Sequence, residues 1–308
     1  MSLNVLLTGA SGFIGQNLVR LLKDNGYDIW LLTKNKAIGR ANPDVNVLTI
    51  DDYDPLSIEK IEPLLPSNID CIVNLAAYGL KKDDKDGQQF FASNIVFAQA
   101  LLWLAKRQGI KKFVSIGSIS EYASCQQGEL ISENYPLTTA MYGASKAAFS
   151  LWGSAFSAQN GISFVHLRLF NVYGKGEGEK RLIPYMISNL SKNEAIDLTD
   201  GEQVRDFIHV DDVVECILAS MKKMGERSVI GNYNVCTGHP VKVKELILTI
   251  GALLKSDREL LRFGAVDKRE DEIMWAVGDK SAISALIDWV PKISLEVGLD
   301  RIINDHEK

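Results

Sequence analysis

Short apolar runs alternate along the first half of the chain with longer segments in which apolar residues recur every three or four positions. The candidate strands are NVLLTG, YDIWLLT, VNVLTI, IDCIVNLAA, KKFVSIGS and ISFVHLRLF. Strands that are apolar at nearly every position are typical of a parallel sheet covered on both faces. Because the intervening segments are long enough for crossover helices, the pattern predicts a doubly wound α/β (Rossmann-type) parallel sheet over the first ~170 residues.

The pattern becomes irregular beyond Tyr173. The segment GKGEGEKR is rich in glycine and charge, which predicts a loop, and later segments mix helical patterns with short strands. A smaller mixed α/β lobe is therefore predicted beside the sheet. The predicted larger domain comprises residues 1–171 and about 205–235, and the smaller lobe comprises residues 172–204 and 236–308.

Two predicted helices carry apolar side chains around more of their circumference than one buried face needs. They are residues 90–105, FFASNIVFAQALLWLA, and residues 147–156, AAFSLWGSAF. A second buried face is implied. We expect a homodimer formed through a four-helix bundle of these helices and their copies. The alternative is that the smaller lobe covers the additional apolar face.

The composition is that of an ordinary folded protein. The chain has 308 residues, of which 46% are hydrophobic and 24% charged, with a net charge of -5. These values argue against disorder and against nucleic-acid or membrane partners. No run approaches the ~18 apolar residues of a membrane span. The cysteines are scattered without metal-ligand or disulfide-framework spacing, so we expect no metal site and a reduced, cytoplasmic protein with free Cys71, Cys125, Cys216 and Cys236.

The stretch LLTGASGFIGQNL contains three evenly spaced glycines between the first strand and a helical pattern. This strand, turn and helix context is that of a dinucleotide fingerprint. Gly9 permits the tight turn, Gly12 removes a side chain where a diphosphate would meet the helix N-terminus, and Gly15 lets helix and strand pack closely. The same turn makes Phe13 and Ile14 candidate cofactor contacts.

Thr33 and Lys34 stand at the end of the second strand, where an acidic residue would bind the ribose 2′-hydroxyl of NAD. A hydroxyl and an ammonium suit a 2′-phosphate, and the missing carboxylate removes a favourable contact with NAD. NADP is therefore the predicted cofactor, with NAD as the alternative. The alternative for Lys34 is a solvated loop lysine without a role in binding.

The segment YGASK places Tyr142 and Lys146 four residues apart, on one face of a predicted helix. We expect the Lys146 ammonium to lower the pKa of Tyr142, so that the phenol exchanges a proton with a substrate oxygen during hydride transfer. Ser118 follows the strand KKFVSIGS at the carboxyl edge of the sheet and is expected to orient a substrate carbonyl. Taken singly, Tyr-x-x-x-Lys is a weak pattern and Ser118 is equally typical of a backbone cap.

Together these residues resemble the extended short-chain dehydrogenase/reductases, also called the NAD-dependent epimerase/dehydratase family. The matching motifs cover nearly the whole chain in the family's order and spacing. They are Gly-x-x-Gly-x-x-Gly at 9–15, VNLAA at 73–77, Asn94, SIGSISEY, YGASK, RLFNVYG and RDFIHVDDV. The resemblance implies a Rossmann-type enzyme in which Ser118, Tyr142 and Lys146 are catalytic, with a dinucleotide-binding domain and a smaller nucleotide-sugar-binding lobe.

Matched position by position, the resemblance implies further cofactor contacts. Asp51 corresponds to the acid that holds the adenine, and Asn94 to the polar residue that supports the region of the catalytic tyrosine. Lys146 also corresponds to the residue that bonds the nicotinamide ribose. The loop along the cofactor comprises Leu75, Ala76 and Ala77.

The resemblance also implies substrate contacts. Asn171, Arg205 and Arg269 match positions that bind the diphosphate of a nucleotide-linked sugar, and arginines suit paired phosphate oxygens. The alternative for each arginine is a surface ion pair with a neighbouring acid, which would be Asp206 for Arg205 and Glu270 or Asp271 for Arg269.

Departures from the family pattern favour one reaction. Dehydratases of the family have an Asp-Glu pair directly after the catalytic serine or threonine, where this chain has Ile119 and Ser120. Without those proton carriers elimination of water is disfavoured. Thr33 and Lys34 favour dissociable NADPH over the tightly held NAD of epimerases. The stretches VYGKGEGEKRLIPYMI, DGEQVRDFIHVDDVV and FGAVDKREDEIMWAV resemble the CDP-abequose and CDP-paratose synthases, a reductase subgroup.

The leading hypothesis is therefore an NADPH-dependent reductase for the 4-keto group of a nucleotide-diphosphate-linked deoxysugar, within surface polysaccharide synthesis. The alternatives are a nucleotide-sugar epimerase that retains NAD and a noncatalytic, nucleotide-sensing member of the fold. The base and the sugar stay open. His166 and His209 are interpreted as structural, and Asp211 and Asp212 as caps of the helix that begins near VVECIL.

Overall fold

The chain alternates strands and helices, and the computed structural model describes residues 3–35, 37–52, 54–79, 84–226, 228–270 and 272–306. The strands are β1 (Asn4–Thr8), β2 (Asp28–Thr33), β3 (Asn46–Thr49), β4 (Ile69–Asn74), β5 (Lys112–Ser118), β6 (Ser163–Leu169), β7 (Asn171–Tyr173), β8 (Ile196–Leu198), β9 (Val204–Arg205), β10 (Phe207–His209), β11 (Ile230–Val235), β12 (Val241–Lys242), β13 (Leu261–Phe263) and β14 (Trp275–Ala276). The α-helices are α1 (Phe13–Asp24), α2 (Ile38–Ala41), α3 (Pro55–Ile61), α4 (Gly87–Phe91), α5 (Phe97–Arg107), α6 (Met141–Asn160), α7 (Leu182–Ser191), α8 (Val210–Glu226), α9 (Val243–Leu253), α10 (Ser281–Ile287) and α11 (Leu295–His306).

A seven-stranded sheet with the order β11-β6-β5-β4-β1-β2-β3 forms the centre of the larger lobe. Its neighbouring strands are all parallel. The fold class predicted from the sequence is confirmed, and the six predicted apolar runs are β1 to β6. β11 was not among those runs, because GNYNV mixes polar with apolar residues.

Helices cover both faces of the sheet, as its apolar strands require. Side chains alternate along β1, so that Val5 and Leu7 join the core on one face, while Leu6 joins the core on the other. The first face is covered by α1, α8 and α10, and the second by α3, α5 and α6. All five residues of β1 are buried, since β1 lies inside the sheet beside the central strand β4.

The smaller lobe has its own apolar core between α7, α9 and α11, which includes Met186, Leu246 and Leu299. α10 belongs to residues 236–308, which were expected to form part of the smaller lobe, but it packs on the large sheet. Ile283 of this helix and Trp289 just beyond it lie in the core of the large sheet, because α10 packs against β11 and α8.

Two buried carboxylates join the lobes. Asp206, between β9 and β10, accepts hydrogen bonds from the backbone N–H groups of Thr237 and Gly238, both at 2.8 Å, directly after β11. Asp212 was expected to cap α8. It lies instead within the first turn of α8 and accepts hydrogen bonds from the backbone of Lys292 at 2.9 Å and Ile293 at 3.0 Å, so it anchors the segment before α11.

The two apolar helices predicted from the sequence are present, with one irregularity. A π-helical segment, Ala92–Val96, separates α4 from α5. Apolar side chains on these helices remain exposed, including Phe91 at 58%, Trp103 at 40% and Leu151 at 73%. The smaller lobe therefore does not cover this face, contrary to the alternative considered above. Of the helices that the structure describes, none is both long and apolar enough to cross a bilayer.

Candidate active site

The glycine turn after β1 is a backbone conformation that other residues cannot adopt without strain. Gly9 has φ +70° and lies against the loop after β4, since a Cβ there would be 2.6 Å from the carbonyl carbon of Leu75. A Cβ on Gly15 would be 2.7 Å from Cα of Ala10. Both glycines are therefore required by the fold itself, as expected for a tight turn and a close helix contact.

Gly12 differs from these two glycines, because the fold does not require it. It is the N-cap of α1 with extended backbone, and a Cβ there would meet only the carbonyl oxygen of Gly9, at 3.3 Å. α1 has no side-chain cap and no acidic residue in its first turn, which includes Phe13 and Ile14. An uncapped helix N-terminus beside a glycine is suited to an anion. These residues therefore fit the diphosphate of a dinucleotide cofactor.

The loop after β4 is held beside this turn by a buried hydrogen-bond chain. The hydroxyl of Thr8 donates to Oδ1 of Asn74 at 2.6 Å and accepts from the backbone N–H of Ala76 at 3.2 Å. β1 and β4 are neighbours in the sheet, with Thr8 paired to Asn74. The structure thus brings Leu75, Ala76 and Ala77 to the glycine turn, along the path assigned to the cofactor.

The end of β2 presents a mixed electrostatic surface. Thr33 is buried, and its hydroxyl accepts a hydrogen bond from the backbone of Asn35 at 3.0 Å, so this hydroxyl belongs to the local turn. Lys34 is half-exposed and lies 3.0 Å from Oδ1 of Asp52. Asp51 is exposed, 3.6 Å from Lys60. Lys34 and Asp51 thus share one edge of the sheet with an acid, Asp52, that sequence reasoning did not identify.

Ser118, Tyr142 and Lys146 meet at the carboxyl end of β5. Ser118 ends that strand and caps the 3₁₀ turn Ile119–Glu121, where its hydroxyl accepts from the backbone of Ser120 at 3.1 Å. Tyr142, in the first turn of α6, lies beside the side chain of Ser118, which lowers the pKa of the phenol. One turn later, Lys146 is buried and donates to the carbonyl oxygen of Ile116 at 2.9 Å.

Gly143 explains how α6 approaches this turn so closely. A Cβ at Gly143 would collide with the carbonyl oxygen of Ser120 and the methyl group of Thr138. The glycine in YGASK therefore allows Tyr142 to reach Ser118 across a backbone contact. The sequence motif contains this requirement, although sequence reasoning did not extract it.

The pKa values at this site differ from the expectation. Burial, reinforced by the nearby Glu121 carboxylate, raises the pKa of Tyr142 to about 12, while the Ser118 side chain and the charge of Arg181 act in the opposite direction. Burial lowers the pKa of Lys146 to about 8, with Glu121 opposing. The expected lowering of the Tyr142 pKa by Lys146 is therefore wrong for the protein alone, because burial dominates and the ammonium is directed at a backbone carbonyl.

Asn94 supports the first turn of α6 from the π-helical segment. Its side-chain amide donates to the hydroxyl of Ser145 at 2.9 Å, and that hydroxyl donates to the carbonyl oxygen of Tyr142 at 2.7 Å. Its Oδ1 accepts from the backbone of Tyr78 at 2.9 Å. Asn94 is 2% exposed, so it contacts protein and is shielded from the cleft. Single π-helical turns are frequent at functional sites.

The three residues assigned to a substrate diphosphate lie near the junction of the lobes. The side chain of Asn171, at the start of β7, donates to the backbone carbonyl of Asp206 at 3.1 Å. Arg205 pairs with Glu272 at 2.7 Å and is largely buried. The alternative that Arg205 forms an ion pair with Asp206 is wrong, because the Asp206 carboxylate accepts hydrogen bonds from the backbone of Thr237 and Gly238.

Arg269 is exposed in the loop before β14, and the turn in which Glu272 N–H bonds the Arg269 carbonyl at 3.2 Å brings it close to the partner of Arg205 along the chain. Glu272 therefore connects the two arginines: its side chain pairs with Arg205, and its backbone N–H bonds the carbonyl of Arg269. Glu270 is likewise exposed, and Asp271, the other alternative partner of Arg269, lies outside the described residues.

Three charged residues at the site were missed by sequence reasoning. Glu121 is fully buried in the turn that Ser118 begins. The charge of Arg181 lowers the pKa of Tyr142. Glu177 interacts with the same Arg181, and burial raises its pKa to about 7. A signal existed for Glu121, because β6 has polar His166 and Arg168 two residues apart in an otherwise apolar strand, on the same face.

A glycine turn at an uncapped helix, with a partly buried tyrosine and a buried lysine at the edge of a parallel sheet, defines a dinucleotide-dependent enzyme with a Rossmann-type fold. The chain belongs to the NAD dependent epimerase/dehydratase family, whose model matches residues 5–236. It is therefore an enzyme of the extended short-chain dehydrogenase type, as the sequence predicted.

Similar proteins agree with this assignment. The chain is 30% identical over 302 residues to CDP-abequose synthase of Salmonella typhimurium, covering 97% of each chain. It superposes with a TM-score of 0.88 on UDP-glucose 4-epimerase of Thermotoga maritima, solved with UDP-glucose, at 24% identity and covering 99% of each chain, which shows the fold. MoeE5, solved with UDP-glucose and NAD, gives a TM-score of 0.83 at 26% identity, covering 99% of this chain and 98% of MoeE5.

Substituting Gly12→Ala tests the assignment of the glycine turn to a diphosphate. The added methyl group would lie 3.3 Å from the carbonyl oxygen of Gly9, a tight contact that a shift of a few tenths of an ångström relieves. It also occupies the space before the helix N-terminus, so we expect dinucleotide affinity to fall roughly tenfold or more. The melting temperature should change by no more than about 2 °C. Gly251→Ala, in α9 of the smaller lobe, is the matched control. Isothermal titration that finds equal affinities for both variants would contradict the assignment.

Proposed function

We propose that the protein is an NADPH-dependent reductase that converts the 4-keto group of a nucleotide-diphosphate-linked deoxysugar to an alcohol. The observation that carries this proposal is Tyr142, a largely desolvated phenol that lies beside Ser118 at the carboxyl edge of the sheet and has a pKa raised to about 12. A phenol that stays protonated at neutral pH is suited to donate a proton, and reduction of a ketone requires a proton donor.

The residues divide the chemistry among them. Reduced nicotinamide, when bound, supplies a hydride. The hydroxyl of Ser118 holds the carbonyl oxygen, and hydride addition at the sugar C4 moves the π electrons of the C=O bond onto that oxygen. Tyr142 then gives its hydroxyl proton to the oxyanion. Lys146, as an ammonium, stabilises the phenolate that remains until a proton from solvent restores the phenol.

The proposed substrate class follows from the relatives and from the arginines at the lobe junction. A relative at 30% identity is a CDP-abequose synthase, and the chain offers Arg205 and Arg269 for a diphosphate. Arg205 holds Glu272 in the absence of substrate, so a diphosphate would replace that carboxylate. We place the reaction in the cytoplasm, in the synthesis of activated deoxysugars for surface polysaccharide.

Dehydration of the sugar is the reaction that the site supports least. Ile119 and Ser120 occupy the positions after Ser118, so an acid and base pair is missing there. The acid that this turn does contain, Glu121, is 0% exposed and bonded to His166 and Arg168. It is therefore shielded from any substrate and does not replace the missing pair.

Adding a CDP- or TDP-linked 4-keto-6-deoxy sugar, or its 3-deoxy counterpart, to the protein with NADPH should cause NADPH oxidation, followed by absorbance. Tyr142→Phe should lower kcat by roughly 10²- to 10⁴-fold, since it removes the proton donor, while leaving NADPH affinity nearly unchanged. Tyr27→Phe, at the opposite edge of the sheet, is the control. A Tyr142→Phe variant that retains most activity would reject the assignment. No oxidation with any substrate would favour an epimerase, whose tightly held NAD should then be detected after denaturation.

We also propose NADP as the physiological cofactor. Lys34 supplies an ammonium at the end of β2, and no carboxylate occupies that strand end itself. The nearby Asp52 pairs with Lys34 on the surface, where both side chains are about half exposed. Such a pair is weak, so its exchange for a phosphate is favourable. The solved relative MoeE5 binds NAD. The proposed preference for NADP therefore rests on the residues of this chain at the end of β2.

Substituting Lys34→Glu should reduce NADPH affinity by roughly 10- to 100-fold, because it replaces a charge-assisted hydrogen bond with repulsion. NADH affinity should be unchanged or improved. Lys23→Glu is the control for a general effect of surface charge, because Lys23 lies on α1 and forms a surface ion pair with Asp44. Fluorescence titration of both cofactors measures the preference. An unmodified protein that binds NADH at least as tightly as NADPH would refute the proposal.

We propose, further, that the continuous helix formed by α4, the π-helical segment and α5 packs together with α6 against the same two helices of a second copy, as a four-helix-bundle interface. These helices expose Phe91, Trp103 and Leu151, and Trp103 packs edge-on against Phe156 with ring centroids 4.8 Å apart. Trp152 stacks on the same ring at 4.9 Å. An exposed aromatic and aliphatic face of this kind is typical of an interface between protein subunits.

Leu151→Glu should convert the dimer to a monomer, because it places a charge at the most exposed apolar position of this face. Light scattering should give a mass near 34.1 kDa for the variant and twice that value for the unmodified protein. Val297→Glu, on α11 of the smaller lobe, should leave the dimer intact. A monomeric unmodified protein at micromolar concentration would exclude the interface.

A further inference from the structure

A buried charged cluster lies directly beneath the proposed catalytic residues. Glu121 ends the 3₁₀ turn that Ser118 begins, and it is 0% exposed. Its Oε1 accepts a hydrogen bond from the backbone N–H of Ser118 at 2.9 Å and lies 2.9 Å from Nε2 of His166. Its Oε2 accepts from Nε of Arg168 at 2.8 Å. The carboxylate is thus bonded on both oxygens, one of them to the turn that carries Ser118.

The surrounding protein packs tightly around the Glu121 carboxylate. A Cβ on Gly117 would collide with both Oε1 of Glu121 and Nε2 of His166. Arg168, 2% exposed, extends from Glu121 to the hydroxyl of Tyr122 at 2.9 Å and the backbone carbonyl of Glu133 at 3.3 Å. The charge of Arg168 is therefore directed away from Ser118, while the charge of Glu121 lies next to it.

A buried ion pair is weak evidence of a stabilising role, because apolar residues of similar volume usually serve a core at least as well. After Ser163, the residues of β6 other than His166 and Arg168 are apolar, and their side chains pack in the two cores of the sheet. A charge retained in this position, in contact with the catalytic turn, calls for a role in the site itself.

The charge of Glu121 acts on both ionisable catalytic side chains in the same direction. It raises the pKa of Tyr142, where burial is the larger cause, and it raises the pKa of Lys146, where burial acts in the opposite direction. The other groups that face Tyr142 are Ser118 and Arg181, both of which lower its pKa, and Lys146 lies one turn along on α6. Glu121 thus reinforces burial in keeping the phenol protonated and opposes burial in keeping the ammonium charged.

We propose that Glu121 is a positioning residue of the active site, whose buried carboxylate orients Ser118 through the backbone and biases Tyr142 and Lys146 toward their protonated forms. For the reductase proposed above, on which the second half of this inference rests, those are the forms that donate a proton to the substrate oxygen and stabilise the phenolate left behind. His166 and Arg168 hold the carboxylate in place without contacting the substrate.

The first test measures Lys146 directly and needs no substrate. Trace labelling with an isotopic acetylating reagent from pH 6 to pH 9.5, read by peptide mass spectrometry relative to exposed Lys192, gives the pH at which Lys146 loses its proton. In Glu121→Gln this midpoint should move to lower pH, because the negative charge that favours the ammonium is gone. In Glu133→Gln, which removes a carboxylate that accepts from the backbone of Asn234 and does not act on the pKa of Lys146, the midpoint should stay where it is in the unmodified protein.

Glu121→Gln leaves Arg168 without its carboxylate and is expected to lower the melting temperature. The double variant Glu121→Gln, Arg168→Met removes both charges and should recover stability while still showing the shifted Lys146 midpoint. An unchanged midpoint in the folded double variant would overturn the proposal, since a purely structural cluster predicts that result.

The second test follows NADPH oxidation against pH. In Glu121→Gln the alkaline limb of the kcat/KM profile should begin at lower pH, so that activity falls by a larger factor at pH 9 than at pH 7. An alkaline limb at the same pH with a uniformly lower rate would reject the electrostatic role. If the unmodified protein reduces none of the substrates, the reductase proposal fails, while the labelling result still decides the effect of Glu121 on Lys146.

Discussion

Parallel pairing of β1 with β4, and of β4 with β5, is the constraint on which the site depends. It aligns the carboxyl ends of three strands, so that the glycine turn after Thr8, the loop after Asn74 and the turn beginning at Ser118 open on the same edge. Each turn alone is an ordinary connection. Their alignment forms a continuous surface that fits a dinucleotide between the N-terminus of α1 and the side chain of Tyr142.

Close backbone contacts give this edge its rigidity. Gly9 lies against the backbone of Leu75, and Gly143 lies against that of Ser120, in each case where a side chain would collide. The first contact joins the cofactor turn to the neighbouring strand end, and the second joins α6 to the turn of Ser118. Tyr142 and Ser118 lie side by side because α6 approaches the end of β5 so closely.

Electrostatics in the site are dominated by burial, with one charge set against it. Burial alone would neutralise both Tyr142 and Lys146, raising one pKa and lowering the other. For the phenol this is the protonated form that a reduction uses, but for the lysine it removes a useful charge. The Glu121 carboxylate offsets the loss at Lys146 while reinforcing the phenol, which accounts for an acid beneath a catalytic turn that no substrate reaches.

The sequence by itself determined six of the seven strands of the sheet and the glycine turn, and it singled out Ser118, Tyr142 and Lys146, which the structure brings to the carboxyl end of β5. Apolar strands, evenly spaced glycines and a four-residue spacing are local patterns, and the physical reason for each is contained in neighbouring residues. Tertiary structure decided what depends on residues distant along the chain. Examples are the pairing of Arg205 with Glu272, the packing of α10 on the large sheet and the exposed face around Leu151. The pKa of Tyr142 is the clearest case, because desolvation and the position of Glu121 override the neighbouring Lys146 that the motif suggests, and burial is a property of the whole fold.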